Sequence, residues 1–119
     1  MHELSLAQLR ADLDAKKVSA RELVTYFLQR IKSLDSDLNS FITVVDEAMV
    51  LTEAEAADRR IAAGQADVLT GIPYAHKDIF CTAGVRTTCA SRMLENFIAP
   101  YDATVHEKLK ASGAVMLGK

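Results

Sequence analysis

The run Ala114–Leu117 is apolar at every position. A strand with one wet face alternates apolar and polar residues, and a strand covered on both faces has no need to. This unbroken run, following Gly113, therefore predicts a strand inside a layered α/β domain.

The segments before it supply the layers. Ser5 and Gln8 have capping-box spacing, and Leu6, Leu9 and Leu13 follow on one helical face. Ser19 and Glu22 repeat the signal, and Leu23, Val24, Phe27, Leu28, Ile31 and Leu34 make a wide apolar stripe that the polar stretch Asp35–Ser40 ends. Phe41–Val45 is short and β-branched, which favours a strand. Asp46 caps a helix running to Ala63, with Val50, Ala54, Ala57 and Ile61 as its stripe and Gly64 at its end. A second strand is predicted over Ile72–Phe80, a loop or hairpin over Thr82–Thr88, and a short helix around Ser91–Asn96. Thr104 and Glu107 mark a last capping box before the strand Ala114–Leu117. The order predicts an α/β fold, with a helical opening over residues 1–40 and the start of a sheet core over 41–119. The chain stops at Gly118-Lys119, directly after a core-type strand, so a single incomplete domain is expected.

Charge narrows the function classes. Sixteen acidic residues against fourteen basic ones leave a net charge of −2. That near balance gives no electrostatic footprint for nucleic acid, and no basic block suggests a membrane surface. An RNA-linked role would have to be carried by a partner or by further chain. MHELSLAQLR lacks the layout of a signal peptide, and Cys81 and Cys89 are too few for a disulfide framework, so a cytoplasmic protein with reduced thiols is expected. His76, Cys81, Cys89 and His106 lack the paired spacing of a zinc site. No metal or cofactor is expected on the chain itself.

The chemistry gathers in GIPYAHKDIF, residues 71–80. Read as a strand, it puts Pro73, Ala75, Lys77, Ile79 and Cys81 on one face and Tyr74, His76, Asp78 and Phe80 on the other. Lys77 then has only small or apolar neighbours on its side. Desolvation disfavours the charged form of an amine, which lets it accept a proton near neutral pH. The bland alternative is a lysine that snorkels to water at the strand end.

GIPYAHKDIF and the following CTAGVRTTCASRMLENFIAPYDATVHEKLKASGAVMLGK resemble the amidase signature family. Within it they are similar to the glutamine-hydrolysing subunits of aspartyl/glutamyl-tRNA amidotransferases, and the helical opening agrees. The resemblance implies the N-terminal part of an α/β/α layered fold with a mixed sheet, and it places the family's catalytic lysine on Lys77. It also implies two partners for that lysine, a serine in a cis peptide and a nucleophilic serine. Both follow the strand that ends at GAVMLGK in family order, so the 119 residues alone are expected to be inactive. Ser91 matches an Ala-Ser step near the family's active-site wall, with helix capping as the plain alternative. Asp78 is expected to anchor the backbone. His76 stands where many relatives carry an apolar residue, Ile79 replaces a common asparagine, and Cys81 and Cys89 are expected to pack as small apolar residues.

By the same resemblance, glutamine is the substrate, and two partner subunits, designated B and C in the family, complete a heterotrimer. Ammonia passes to the first of them, which uses ATP and magnesium to activate the misacylated tRNA; the second is small. Two other readings stay open: a fragment of another amide hydrolase of the family, and a non-catalytic docking module.

Overall fold

A computed structural model describes all 119 residues, Met1–Lys119. Three helices lead: α1 (Leu6–Asp14), α2 (Ala20–Leu38) and α3 (Glu47–Ala62). Both expected capping boxes form. Ser5 accepts from the Gln8 amide and Ser19 from the Glu22 amide, and each partner side chain reaches back to the cap's own N–H. Those bonds from Ser19 also hold the Glu22 carboxyl below its ordinary pKa. Asp46 caps α3 by accepting from the amides of Ala48 and Met49. The α2 N-terminus gains a second acceptor from outside itself. Asp58 on α3 receives the Ala20 amide at 2.7 Å and the Arg21 amide at 3.1 Å, which fixes one helix against the other.

Helix α2 runs further than its polar tail suggested, to Leu38, and is turned off by Asn39 in the left-handed conformation (φ 52°). Its stripe is only partly covered. Leu23 and Val24 are fully buried, Phe27, Leu28 and Ile31 pack against the core edge, and Leu34 is exposed.

The sheet is smaller than predicted. β1 is Pro73–Ala75 and β2 is Val115–Gly118, and they pair in parallel with Pro73 opposite Val115. Between them come a 3₁₀ turn, Arg92–Leu94, where a short helix was expected, and α4 (Thr104–Ala111). The capping box predicted at Thr104 does not form. The cap of α4 falls one residue earlier, at Ala103, which has no side-chain acceptor to offer. Phe41–Val45 is a single antiparallel bridge, Val44 to Gly118, rather than a full strand. Its ladder is nonetheless real: Ile42 and Thr43 donate to the Lys119 carbonyl, and Val45 donates to that of Leu117. Parallel and antiparallel neighbours of β2 make the sheet mixed, as expected.

Val115 and Leu117 join Ile72 and the inner residues of α1–α3 in one core. On the other side, Tyr74 reaches α4 through a 3.1 Å hydrogen bond between its hydroxyl and His106 Nδ1. The central strand is thus covered twice, which is why its run never alternates. Two glycines make the approach of layers workable. Gly71 is left-handed (φ 79°), and a Cβ there would lie 2.8 Å from that of Ala20. A Cβ on Gly118 would lie 2.5 Å from the Thr43 carbonyl oxygen. No helix is long and apolar enough to cross a membrane.

Candidate active site

The alternation predicted for residues 73–80 holds from Ala75 to Ile79, but the strand does not reach Lys77. Pairing ends at Ala75, after an irregular step in register between Tyr74 and Ala75. The last ladder bond is His76 N–H to the Gly118 carbonyl, 2.8 Å. Asp78 then captures Thr88 and draws the chain into a turn, closed by the Phe80 amide on the Lys77 carbonyl at 3.1 Å. Lys77 stands on that turn, two residues past the strand. His76 and Asp78 are buried, whereas Ala75, Lys77 and Ile79 are exposed. The expectation of a buried lysine is therefore corrected: within these residues its face lies open.

Lys77 borders a hollow of about 260 Å³ with Ser40, Ile42, Asp78, Cys89 and Lys119. Cys89 is exposed, not packed as a small apolar residue, on a loop whose backbone is left-handed there (φ 51°); Cys81 is half-buried. Ser91 lies outside this hollow. It caps the 3₁₀ turn by accepting from the Met93 amide and borders a neighbouring depression with Arg86, Thr88 and Glu95. Asp78 anchors as expected, accepting the amide and hydroxyl of Thr88.

Two features had no clear sequence signal. One is Lys119, only 5% exposed, whose ammonium donates to the Phe80 carbonyl (2.8 Å) and the Thr87 hydroxyl (2.6 Å). Burial pushes its pKa down, opposed by Asp78 and more weakly by Cys81, Cys89 and Asp102. Its place at the end of an apolar run was the available hint. The other is an aromatic stack behind the turn. The His76 ring lies 4.9 Å from Phe80 and 5.3 Å from His106, centroid to centroid, and its Nε2 is buried without a partner. Burial pushes both histidines toward the neutral form; for His106 the Asp102 carboxylate works against it. Tyr74, bonded to His106, is pushed up to about 12 by its burial, helped by the charges of Glu53 and Asp102.

A family model described as Amidase matches residues 22–119. The chain belongs to the amidase family. Over all 119 residues it is 61% identical to the glutamyl-tRNA(Gln) amidotransferase A subunit of Aromatoleum aromaticum and 59% identical to that of Thioalkalivibrio sulfidiphilus. It spans about a quarter of their length, 24% in each case. Among solved amidase structures, it superimposes on the peptide amidase of Stenotrophomonas maltophilia with a TM-score of 0.90 at 33% identity, over 98% of this chain and 24% of that one. An amidase family protein of Bacillus anthracis gives 0.88 at 32% identity, over 98% and 23%. The family and the α/β fold are those the GIPYAHKDIF segment implied.

Proposed function

We propose that these residues form part of the glutamine-hydrolysing subunit of a tRNA-dependent amidotransferase, and that Lys77 is its general base. The observation that carries the reading is Lys77's setting: an exposed amine on a turn pinned by buried Asp78, at the rim of a hollow, in the family's lysine position. An amine there is open to whatever chain packs over the face of Ala75, Lys77 and Ile79. Such cover would remove water and favour the neutral, proton-accepting amine.

The chemistry is acyl transfer. Neutral Lys77 takes a proton, through a relay serine, from a nucleophilic serine as that oxygen attacks the side-chain carbonyl of glutamine. The C–N bond breaks, the lysine's proton goes to the departing nitrogen, and ammonia leaves a glutamyl ester that water hydrolyses. Both serines and the oxyanion donors come from chain outside these residues. Ammonia then serves one partner that activates misacylated tRNA with ATP and magnesium, in a heterotrimer completed by a small third subunit; the surroundings are cytoplasmic.

A general amide hydrolase is the second reading, favoured by the likeness to the peptide amidase. The greater identity to the amidotransferase relatives across the whole chain supports the first. Ammonia release by the full-length subunit with its partners separates them. Glutamine turned over at least about tenfold faster than C-terminally amidated peptides or aryl amides supports the amidotransferase, a discrimination readily made by a site that pairs the substrate's polar groups. A preference for peptide or aryl amides rejects it.

A further inference from the structure

The turn carrying Lys77 has no secondary structure to hold it. Past the His76 amide it makes no ladder bond, and its position depends on two buried groups at its two ends. At the first end, the Asp78 carboxylate, 8% exposed, accepts the Thr88 amide at 3.1 Å on each oxygen and the Thr88 hydroxyl at 2.5 Å. The Asp78 carbonyl also accepts the Cys89 amide at 2.9 Å. At the other end, the Lys119 ammonium ties the Phe80 carbonyl to the Thr87 hydroxyl. One anion and one cation thus fasten the two ends of a four-residue turn to neighbouring threonines.

Thr88 also holds the opposite wall of the hollow. Thr88 Oγ1 accepts the Ala90 amide at 3.1 Å while donating to Asp78. Cys89 and Ala90 are both left-handed, with φ of 51° and 56°. Consecutive non-glycine residues keep that conformation only where their surroundings over-determine it. Removing the Thr88 hydroxyl would take one bond from the wall and one from the turn, leaving Asp78 on the Thr88 and Cys89 amides alone.

We propose that Thr88 and Lys119 are positioning residues for Lys77, holding its turn through Asp78 and Phe80 at the distance proton transfer requires. The proposal rests on Lys77 being the base. A base must sit within hydrogen-bond reach of the proton it takes, and a displacement of about 1 Å can cost on the order of a hundredfold in rate. Neither Thr88 nor Lys119 needs to touch substrate for this effect.

The test uses the full-length subunit in its assembled complex. Thr88→Val keeps the shape and deletes the hydroxyl, Thr88→Ser restores it, and Lys119→Met deletes the ammonium at similar length. Thr88→Val and Lys119→Met are each expected to lower kcat for glutamine by roughly ten- to a hundredfold, with KM changed by less than about threefold. Thr88→Ser is expected to stay within about threefold of wild type on both. Hydrogen exchange at the Phe80 and Cys89 amides should quicken about tenfold in Thr88→Val, with α2 protection unchanged. Wild-type kcat in Thr88→Val overturns the proposal. So does exchange that quickens equally in α2, because the loss would then be one of global stability. A Lys77→Ala control that keeps turnover sinks the base reading and the proposal with it. Turnover lost in Lys77→Ala but kept in Thr88→Val sinks the positioning claim alone.

Discussion

His76 and Lys77 are neighbours in sequence with opposite environments, and the difference is a matter of parity. Period-two alternation sends His76 into the stack with Phe80 and His106 and leaves Lys77 outside. The buried pair makes stability depend on pH. Both rings have folded pKa values below the ordinary 6.5, chiefly through burial; His76 is lowered further by the charge of His106 and then of Lys119, and His106 by those of Lys110 and Lys119 against the opposing Asp102 carboxylate. An unfolded chain therefore binds more protons than the folded one as pH falls below about 6.5, and stability declines there. It is fully present above that value. Urea midpoints measured from pH 7.5 to 5 are expected to fall, and His76→Phe, which keeps the ring shape and removes one titrating group, should flatten the slope. An unchanged slope in His76→Phe would show that the stacked pair is not its source. The parity of this segment was legible in GIPYAHKDIF. The end of the strand was not, because it depends on Asp78 finding Thr88 ten residues away.

At the scale of elements, the helices were the readable part because their signals are local. Ser19 and Glu22 lie three residues apart and satisfy each other within one turn. Ser19→Ala is expected to cost about 1 kcal/mol of stability, seen as a lower denaturation midpoint with an unchanged slope. A loss below about 0.3 kcal/mol would show that Asp58, which holds the next two amides, is sufficient as a cap. The sheet was harder to read. Phe41–Val45 has strand composition yet forms a bridge, because its partner β2 offers only the Leu117–Lys119 edge. The box predicted at Thr104 failed for a related reason: the chain enters α4 at Ala103, whose amide donates to the Cys81 carbonyl, so tertiary bonding sets the helix start.

For the molecule as a whole, the apolar run at 114–117 announced a central strand, and the structure covers it with α1–α3 on one side and the Tyr74–His106 contact with α4 on the other. Around the hollow, Lys77 could be singled out by its motif, but the bonds of Lys119, Thr87 and Thr88 could not, since they form only once β2 and the 82–90 loop meet. The outer part of the α2 stripe, with Phe41 and Leu117, borders an apolar groove of about 350 Å³. The claim at the centre is that Lys77 starts the chemistry. The most direct measurement is glutamine-dependent ammonia release by the full-length subunit with Lys77→Ala, alongside its melting curve. We predict a fall in kcat on the order of 10² to 10⁴ with the melting temperature unchanged, because an amine desolvated to serve as a base adds little to stability while a missing base disables the triad. Retention of more than about a tenth of wild-type turnover by a normally folded variant would contradict the assignment.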